Sequence, residues 1–257
     1  MELLALNAFS DNYIWLMHNG QDALVVDPGQ AQPVQTALQT LGLALRAIVV
    51  THHHADHTGG VPTLQQATGA SVYCPHFTTP LDCPYQSVAD GMVLELLGYQ
   101  WQVLGVPGHT ASHVAYYSTQ ALPEGVLFCG DALFSAGCGR VFDGTIAQLQ
   151  QSLERLAALP AATRVYPAHE YTLSNLRFAQ AVEPGNPDIM AHQQDCQTLR
   201  ALEKPTLPTS IAQEKRINPF LRWQQPHIVQ ALRQYDADYV TQHGAFATLR
   251  HWKNQFQ

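Results

Sequence analysis

The stretch 51–60, THHHADHTGG, most constrains what this chain can fold into. It sets His52, His53, His54, Asp56 and His57 almost side by side, directly after the apolar run AIVV. Protonated imidazoles repel one another, and burying polar rings without partners costs free energy. A bound cation removes both penalties. In an extended segment, alternation puts His52 and His54 on one side and His53 on the other. Asp56 and His57 follow where the chain turns toward a helix near Gly59 and Gly60. The pattern therefore offers two pairs of donors, each short of a shell of about four.

Three further donors stand at the ends of apolar strand-like runs: His109 in VPGHT, Asp131 in LFCGDALF and His169 in VYPAHEY. A carboxylate can bridge two cations, so Asp131 would complete both shells. The spacing assigns His52, His54, His109 and Asp131 to one metal, and Asp56, His57, His169 and Asp131 to the other. Asp56, His57 and Asp131 form the expected catalytic group. His53 and His113 read as supporting residues, and Asp27 in VVDPG either orients a ligand imidazole or shapes a turn. Mixed His and Asp donors accept several metals. The expectation is two divalent ions per chain, zinc first, with iron or manganese as alternatives. A purely structural zinc site would be closed and rich in thiolate, and this set contains no cysteine.

The segments around these residues alternate. Strands are expected at YIWLMH, ALVVDPG, RAIVVTH, SVYCP, HVAYYS, GVLFCGDALF and TRVYPAHE, with a hairpin over 91–106. Helices are expected at QPVQTALQTLG, at GGVPTLQQATG and at TIAQLQQSLERLAAL, the last capped by Thr145. After Tyr171 the periodicity becomes helical, over TLSNLRFAQAVEP, PDIMAHQQDCQTLRALE, QPHIVQALRQYD and a last helix near 241–254. A Pro-rich link, KPTLPTSIAQEKRINPFLR, divides them.

With 46% hydrophobic residues and a formal charge of -7, the chain can bury a large core and is not built for nucleic acid. No apolar run approaches the ~18 residues of a membrane span. The five cysteines include no CxxC pair and read as reduced thiols. The expected setting is cytoplasmic, without nucleic-acid or membrane partners, and the expected state a monomer.

THHHADHTGG, PGHT, the Gly130-Asp131 pair and AHEYT together resemble the metallo-β-lactamase fold family, and within it glyoxalase II, the hydroxyacylglutathione hydrolases. FSDNYIW, LFSAGCGRVFDGT, HEYTLSNLRFA and EKRINPFLR extend the resemblance over nearly the whole chain. It implies an α/β fold, a four-layer αβ/βα metallo-β-lactamase sandwich over 1–170, with a mainly helical C-terminal domain over 171–257 that binds glutathione. The family's ligand positions coincide with those reached from spacing. The resemblance also implies substrate contacts at Tyr171, Arg140, Arg250 and Lys253, the last two one helical turn apart. Ser112 stands where the family usually has glycine, and Phe142 where some members have tyrosine. The implied reaction is hydrolysis of the thioester S-D-lactoylglutathione, and of related 2-hydroxyacyl glutathiones, by a metal-bound hydroxide. That reaction is the second step of methylglyoxal detoxification and releases glutathione and D-lactate. A lactonase or a glutathione persulfide dioxygenase of the same fold is the alternative.

Overall fold

A computed structural model describes residues 1–256, which divide into two compact units. The first holds Met1–Gly105, Ser112–Gly130 and Arg164–His169; the second holds Val106–Ala111, Asp131–Thr163 and the chain from Glu170 onward. One crossing falls between His169 and Glu170, and residues 106–111 and 131–163 group with the helical tail.

In the first unit the order is β1 (Glu2–Ala8), β2 (Asn12–His18), β3 (Asp22–Val26), α1 (Ala31–Leu41), β4 (Ala44–Val49), α2 (Ala55–Thr58), α3 (Val61–Thr68), β5 (Ser71–Pro75), β6 (Gln86–Val88), β7 (Val93–Leu96), β8 (Tyr99–Gly105), β9 (Val114–Ser118) and β10 (Val126–Gly130). Residues 131–163 then carry β11 (Leu133–Phe134), β12 (Gly137–Cys138) and α4 (Ile146–Ala157) in the second unit, before β13 (Arg164–Pro167) rejoins the first. One sheet runs β1-β2-β3-β4-β5-β6, and the strands of the other within this unit run β13-β10-β9-β8-β7.

β2 and β10 are buried along their whole lengths, as strands covered on both faces must be, and their sequences NYIWLMH and VLFCG are accordingly almost continuously apolar. Trp15 of β2 meets Tyr166 of β13 edge-on at 5.0 Å and donates its indole N–H to the Pro167 carbonyl at 2.8 Å, so the two sheets face each other here. Val34 and Leu38 of α1, with Val61 and Leu64 of α3, close a core over Ile48 and Val50. Truncating such a side chain to alanine costs about 2–5 kcal/mol. The chain belongs in this respect to the α/β class that the alternation implied.

The second unit adds α5 (Thr172–Val182), α6 (Pro187–Ala201), β14 (Thr209–Ser210), α7 (Ile211–Ile217), α8 (Pro219–Arg222), α9 (Pro226–His243) and α10 (Ala245–Gln255). Its core gathers Ala136, Leu176, Ala179, Ile189, Cys196 and Ile217, and Phe178 packs against Phe220, Trp252 and Phe256. Thr145 caps α4 as expected, in a reciprocal box with Gln148.

Several elements differ from the sequence reading. GVLFCGDALF is not one strand, because Gly130 turns left-handed at φ 49° and ends β10. The Pro-rich link contains α7 and α8, started by the side-chain caps Ser210 and Asn218 with Pro219 at the first helical position. The last helix begins at Ala245, after Gly244 at φ 85°, and α9 runs on to His243 through a kink at Asp236. β1 went unread because its apolar residues face a half-covered edge, where the pattern is weak.

Candidate metal centre

In the first unit β4 ends at Val49, and the next residues deliver the histidine run. His52 is fully buried; its Nδ1 lies 3.0 Å from the Thr51 hydroxyl and its Nε2 lies 3.1 Å from His54 Nδ1. The shared side foreseen for His52 and His54 is therefore present. His53 points to solvent, near Phe77. His113 stacks on His52 at 4.6 Å.

Asp56 and His57 follow on the short helix α2, and His169 comes off the end of β13. The three converge: Asp56 Oδ2 stands 3.4 Å from His57 Nε2 and 3.4 Å from His169 Nε2. Hydrogen bonds from His169 and His57 hold the Asp56 carboxyl well below the usual carboxylate range, against the opposing effect of burial. One donor atom from each residue lies within 4.8 Å of the others, a carboxylate with two imidazoles, which is a set able to bind a divalent ion. Gly29 makes the turn possible, since a Cβ there would sit 1.8 Å from the Asp56 carbonyl oxygen.

Each imidazole in this cluster has a partner behind it. Asp27 Oδ2 lies 3.1 Å from His57 Nδ1, while the same carboxylate accepts from the Thr51 amide at 2.7 Å and hydroxyl at 2.8 Å. Asp11 Oδ1 lies 2.8 Å from His169 Nδ1, and Asn12 Nδ2 donates to Asp56 Oδ2 at 2.9 Å. Sequence reasoning found Asp27 and missed Asp11 and Asn12. The only signal was a polar SDN turn between two strands, which reads equally well as an ordinary hairpin loop.

In the second unit His109 and Asp131 come together, with His109 Nε2 3.5 Å from Asp131 Oδ2. His109 Nδ1 faces the Arg140 carbonyl at 2.8 Å, so Nε2 is the nitrogen turned toward the carboxylate. The loop that carries His109 is braced by α4, where Ser152 donates to the Pro107 carbonyl at 2.6 Å. A Cβ at Gly139 would strike the Asp131 carbonyl oxygen at 2.1 Å, so only glycine lets the β11–β12 hairpin fold back this closely.

That hairpin is held from several helices. Glu214 of α7 is fully buried and accepts from the Ala136 amide at 2.8 Å, the Thr209 hydroxyl at 2.7 Å and the Asn218 amide at 2.9 Å. Burial pushes its carboxyl up to about 7, against the hydrogen bonds that favour the ionised form. Asn218 also donates to the Phe134 and Gly137 carbonyls, and Asn175 to Ser135. Arg250 is buried, with Nη1 donating to the Cys138 carbonyl at 3.0 Å and the Gly139 carbonyl at 3.3 Å.

Lys253 stands one turn on, its ammonium 5.2 Å from the Phe178 ring centre. Burial first, and then the neighbouring cations Arg250, Arg177 and Arg140, push it down to about 8. Arg140 and Tyr171 are exposed, Tyr171 edge-on to Phe134 at 5.2 Å. Burial pushes the Cys138 thiol up, so it is no ready nucleophile.

Imidazoles and carboxylates gathered at the strand ends of a two-sheet α/β unit define a metallo-β-lactamase fold, and residues 9–169 match the metallo-beta-lactamase superfamily. The crystal structure of the BLEG-1 B3 metallo-beta-lactamase shares that fold, at 23% identity over 86% of this chain and 98% of its own, with a TM-score of 0.63. Residues 170–256 match a narrower description, the hydroxyacylglutathione hydrolase C-terminus. The hydroxyacylglutathione hydrolase of Albidiferax ferrireducens is 54% identical over the full length of both chains. The chain belongs to the hydroxyacylglutathione hydrolase family. It is also similar to TTHA1623, solved in a di-iron-bound form, at 27% identity over 86% of this chain and all of the other, with a TM-score of 0.61. No helix among the described residues is long and apolar enough to cross a membrane.

Proposed function

We propose that the chain hydrolyses the thioester of 2-hydroxyacyl glutathiones, S-D-lactoylglutathione first among them, at a binuclear metal centre. The observation that carries this is the convergence of Asp56, His57 and His169 on one point in a chain whose full-length relatives are named for that hydrolysis. The lactonase and persulfide dioxygenase readings are not favoured by this family membership.

In this reading Asp56, His57, His169 and Asp131 hold one cation, and His52, His54, His109 and Asp131 the other. The donors are nitrogen and oxygen throughout, which suits zinc, with iron and manganese also accommodated; the di-iron form of TTHA1623 supports a pair. When bound, the cations acidify a water molecule and polarise the thioester carbonyl. The chain supplies the rest. With the cations bound, Asp27 and Asp11 would take the Nδ1 protons of His57 and His169, and each Nε2, which donates toward Asp56 in the metal-free site, would be left with a lone pair for the metal. The departing thiolate has a pKa of roughly 8.5 by analogy with cysteine, so it leaves without a dedicated general acid.

The cationic group of Lys253, Arg250 and Arg140, together with Tyr171, receives the glutathione part, and the domain over 171–257 is its binding domain. The depressed Lys253 supports this, because an anion placed there relieves the mutual repulsion of those cations.

The test is to count metals in the purified protein and to compare cleavage of S-D-lactoylglutathione with that of homoserine lactones and glutathione persulfide. Thioester cleavage with release of glutathione and D-lactate is expected, and faster turnover of either other substrate would overturn the reading. Asp131→Ala should remove both activity and most of the bound metal; full activity with normal metal content would refute the shared-ligand assignment.

A further inference from the structure

The groups behind four of the five proposed ligand imidazoles differ in kind. Behind His169 Nδ1 stands the Asp11 carboxylate at 2.8 Å, and behind His57 Nδ1 the Asp27 carboxylate at 3.1 Å. Behind His52 Nδ1 stands the Thr51 hydroxyl at 3.0 Å, with the Asp27 carboxylate one bond further back, and behind His109 Nδ1 the Arg140 carbonyl at 2.8 Å. A carboxylate in that position makes the ring a stronger donor and adds negative charge near the cation; a hydroxyl or a carbonyl does this less.

Asp56 is prepared in the same way. Its Oδ2, the oxygen facing both histidines, already accepts from Asn12 at 2.9 Å, so the carboxylate is oriented in advance. Asp11 and Asn12 are adjacent in the turn between β1 and β2. That turn is tied to the strand end bearing His169, since the Tyr13 amide donates to the Ala168 carbonyl at 2.7 Å and Asn12 forms a backbone bridge with His169. A single turn thus orients two of the three converging side chains.

We propose that Asp11 and Asn12 are positioning residues for the Asp56, His57 and His169 half of the centre, and that they make it the tighter of the two metal subsites. The proposal rests on the binuclear reading above. The half built on His52, His54 and His109 fills second and empties first.

Titration of metal-free protein with Zn²⁺ against a chromophoric chelator tests this without reference to turnover. The wild type should show two steps, and His169→Ala and His54→Ala assign each step to its half. Asp11→Ala and Asn12→Ala should weaken the tighter step ~10–100-fold, the range for lost outer partners of metal ligands, and leave the weaker step within about twofold. Asp11→Asn should recover part of the loss, because its amide oxygen still accepts from His169. Gln30→Ala is the control: Gln30 accepts from the Phe9 amide in the same turn yet touches no ligand. It should leave both steps unchanged.

The proposal is overturned if His54→Ala removes the tighter step, if Asp11→Ala moves both steps alike or neither, or if Gln30→Ala does equal harm. Thermal unfolding of the metal-free variants checks that each folds, and Asp11→Asn carries the comparison if Asp11→Ala does not. A wild type that binds a single zinc would instead sink the binuclear reading, and this proposal with it.

Discussion

Replacing Glu214 by alanine should lower the melting temperature of the metal-free protein by about 10 °C. The side chain is fully buried and accepts three hydrogen bonds, from Ala136, Thr209 and Asn218. A buried donor left without an acceptor costs about 1–3 kcal/mol. The Thr209 hydroxyl can rotate to another acceptor, and Asn218 keeps the Phe134 and Gly137 carbonyls. The Ala136 amide has no such freedom, so it bears the full penalty and the other two a part of theirs. The sum is roughly 3–5 kcal/mol, and for a chain of this size each kcal/mol moves the midpoint by about 2–4 °C.

The same residue predicts a pH dependence with a definite sign. Its folded-state pKa of about 7 lies above the ordinary value of 4.5, so the folded protein binds the proton more tightly than the unfolded chain. This contribution is fully present below about pH 4.5 and is lost as the pH rises through 7, by up to about 3 kcal/mol. Glu214→Gln cannot titrate, so the wild type should lose stability relative to it between pH 5 and pH 8. Thermal melts of wild type, Glu214→Ala and Glu214→Gln at both ends of that range measure it. An alanine variant within 3 °C of wild type, or a glutamine variant with the wild-type pH slope, would refute the argument.

Other outcomes follow from the cationic cluster and the tight turns. Lys253 at about 8 should give kcat/KM for glutathione thioesters a falling limb above pH 8, as the ammonium loses its charge; Lys253→Arg should abolish that limb, and its persistence would clear Lys253 of the role. Arg250→Ala should raise KM for glutathione thioesters much more than for small esters and also lower the melting temperature, because Cys138 and Gly139 lose their buried donor; a KM effect equal on both substrate types would remove Arg250 from the glutathione contacts. Gly29→Ala should cost at least ~1–3 kcal/mol as a forced overlap and should release zinc, since the new Cβ collides with the Asp56 carbonyl; dialysis followed by metal analysis reads the second effect.

What could be read beforehand divides along physical lines. The candidate metal ligands stood out because clustered imidazoles have few other reasons to exist, and because His109, Asp131 and His169 each follow an apolar strand. The α/β alternation was legible because β2 and β10 are buried on both faces and so almost wholly apolar. β1 escaped because one edge strand half-open to water carries little pattern, and α7 and α8 escaped because prolines mask short helices whose starts depend on single caps at Ser210 and Asn218. The outer partners were least visible. Asp11, Asn12 and Glu214 act through contacts across 158, 44 and 78 residues of sequence, and no local spacing encodes such distances.

The second unit recruits residues 131–163 from the middle of the chain, and this bears on any attempt to shorten the protein. A fragment ending at His169 would retain every proposed ligand in its covalent sequence. Its β11–β12 hairpin would nonetheless lose Asn175, Glu214, Asn218 and Arg250, the side chains that grip its backbone from outside. The tail works as an external splint, and any transplanted tail must reproduce those four grips.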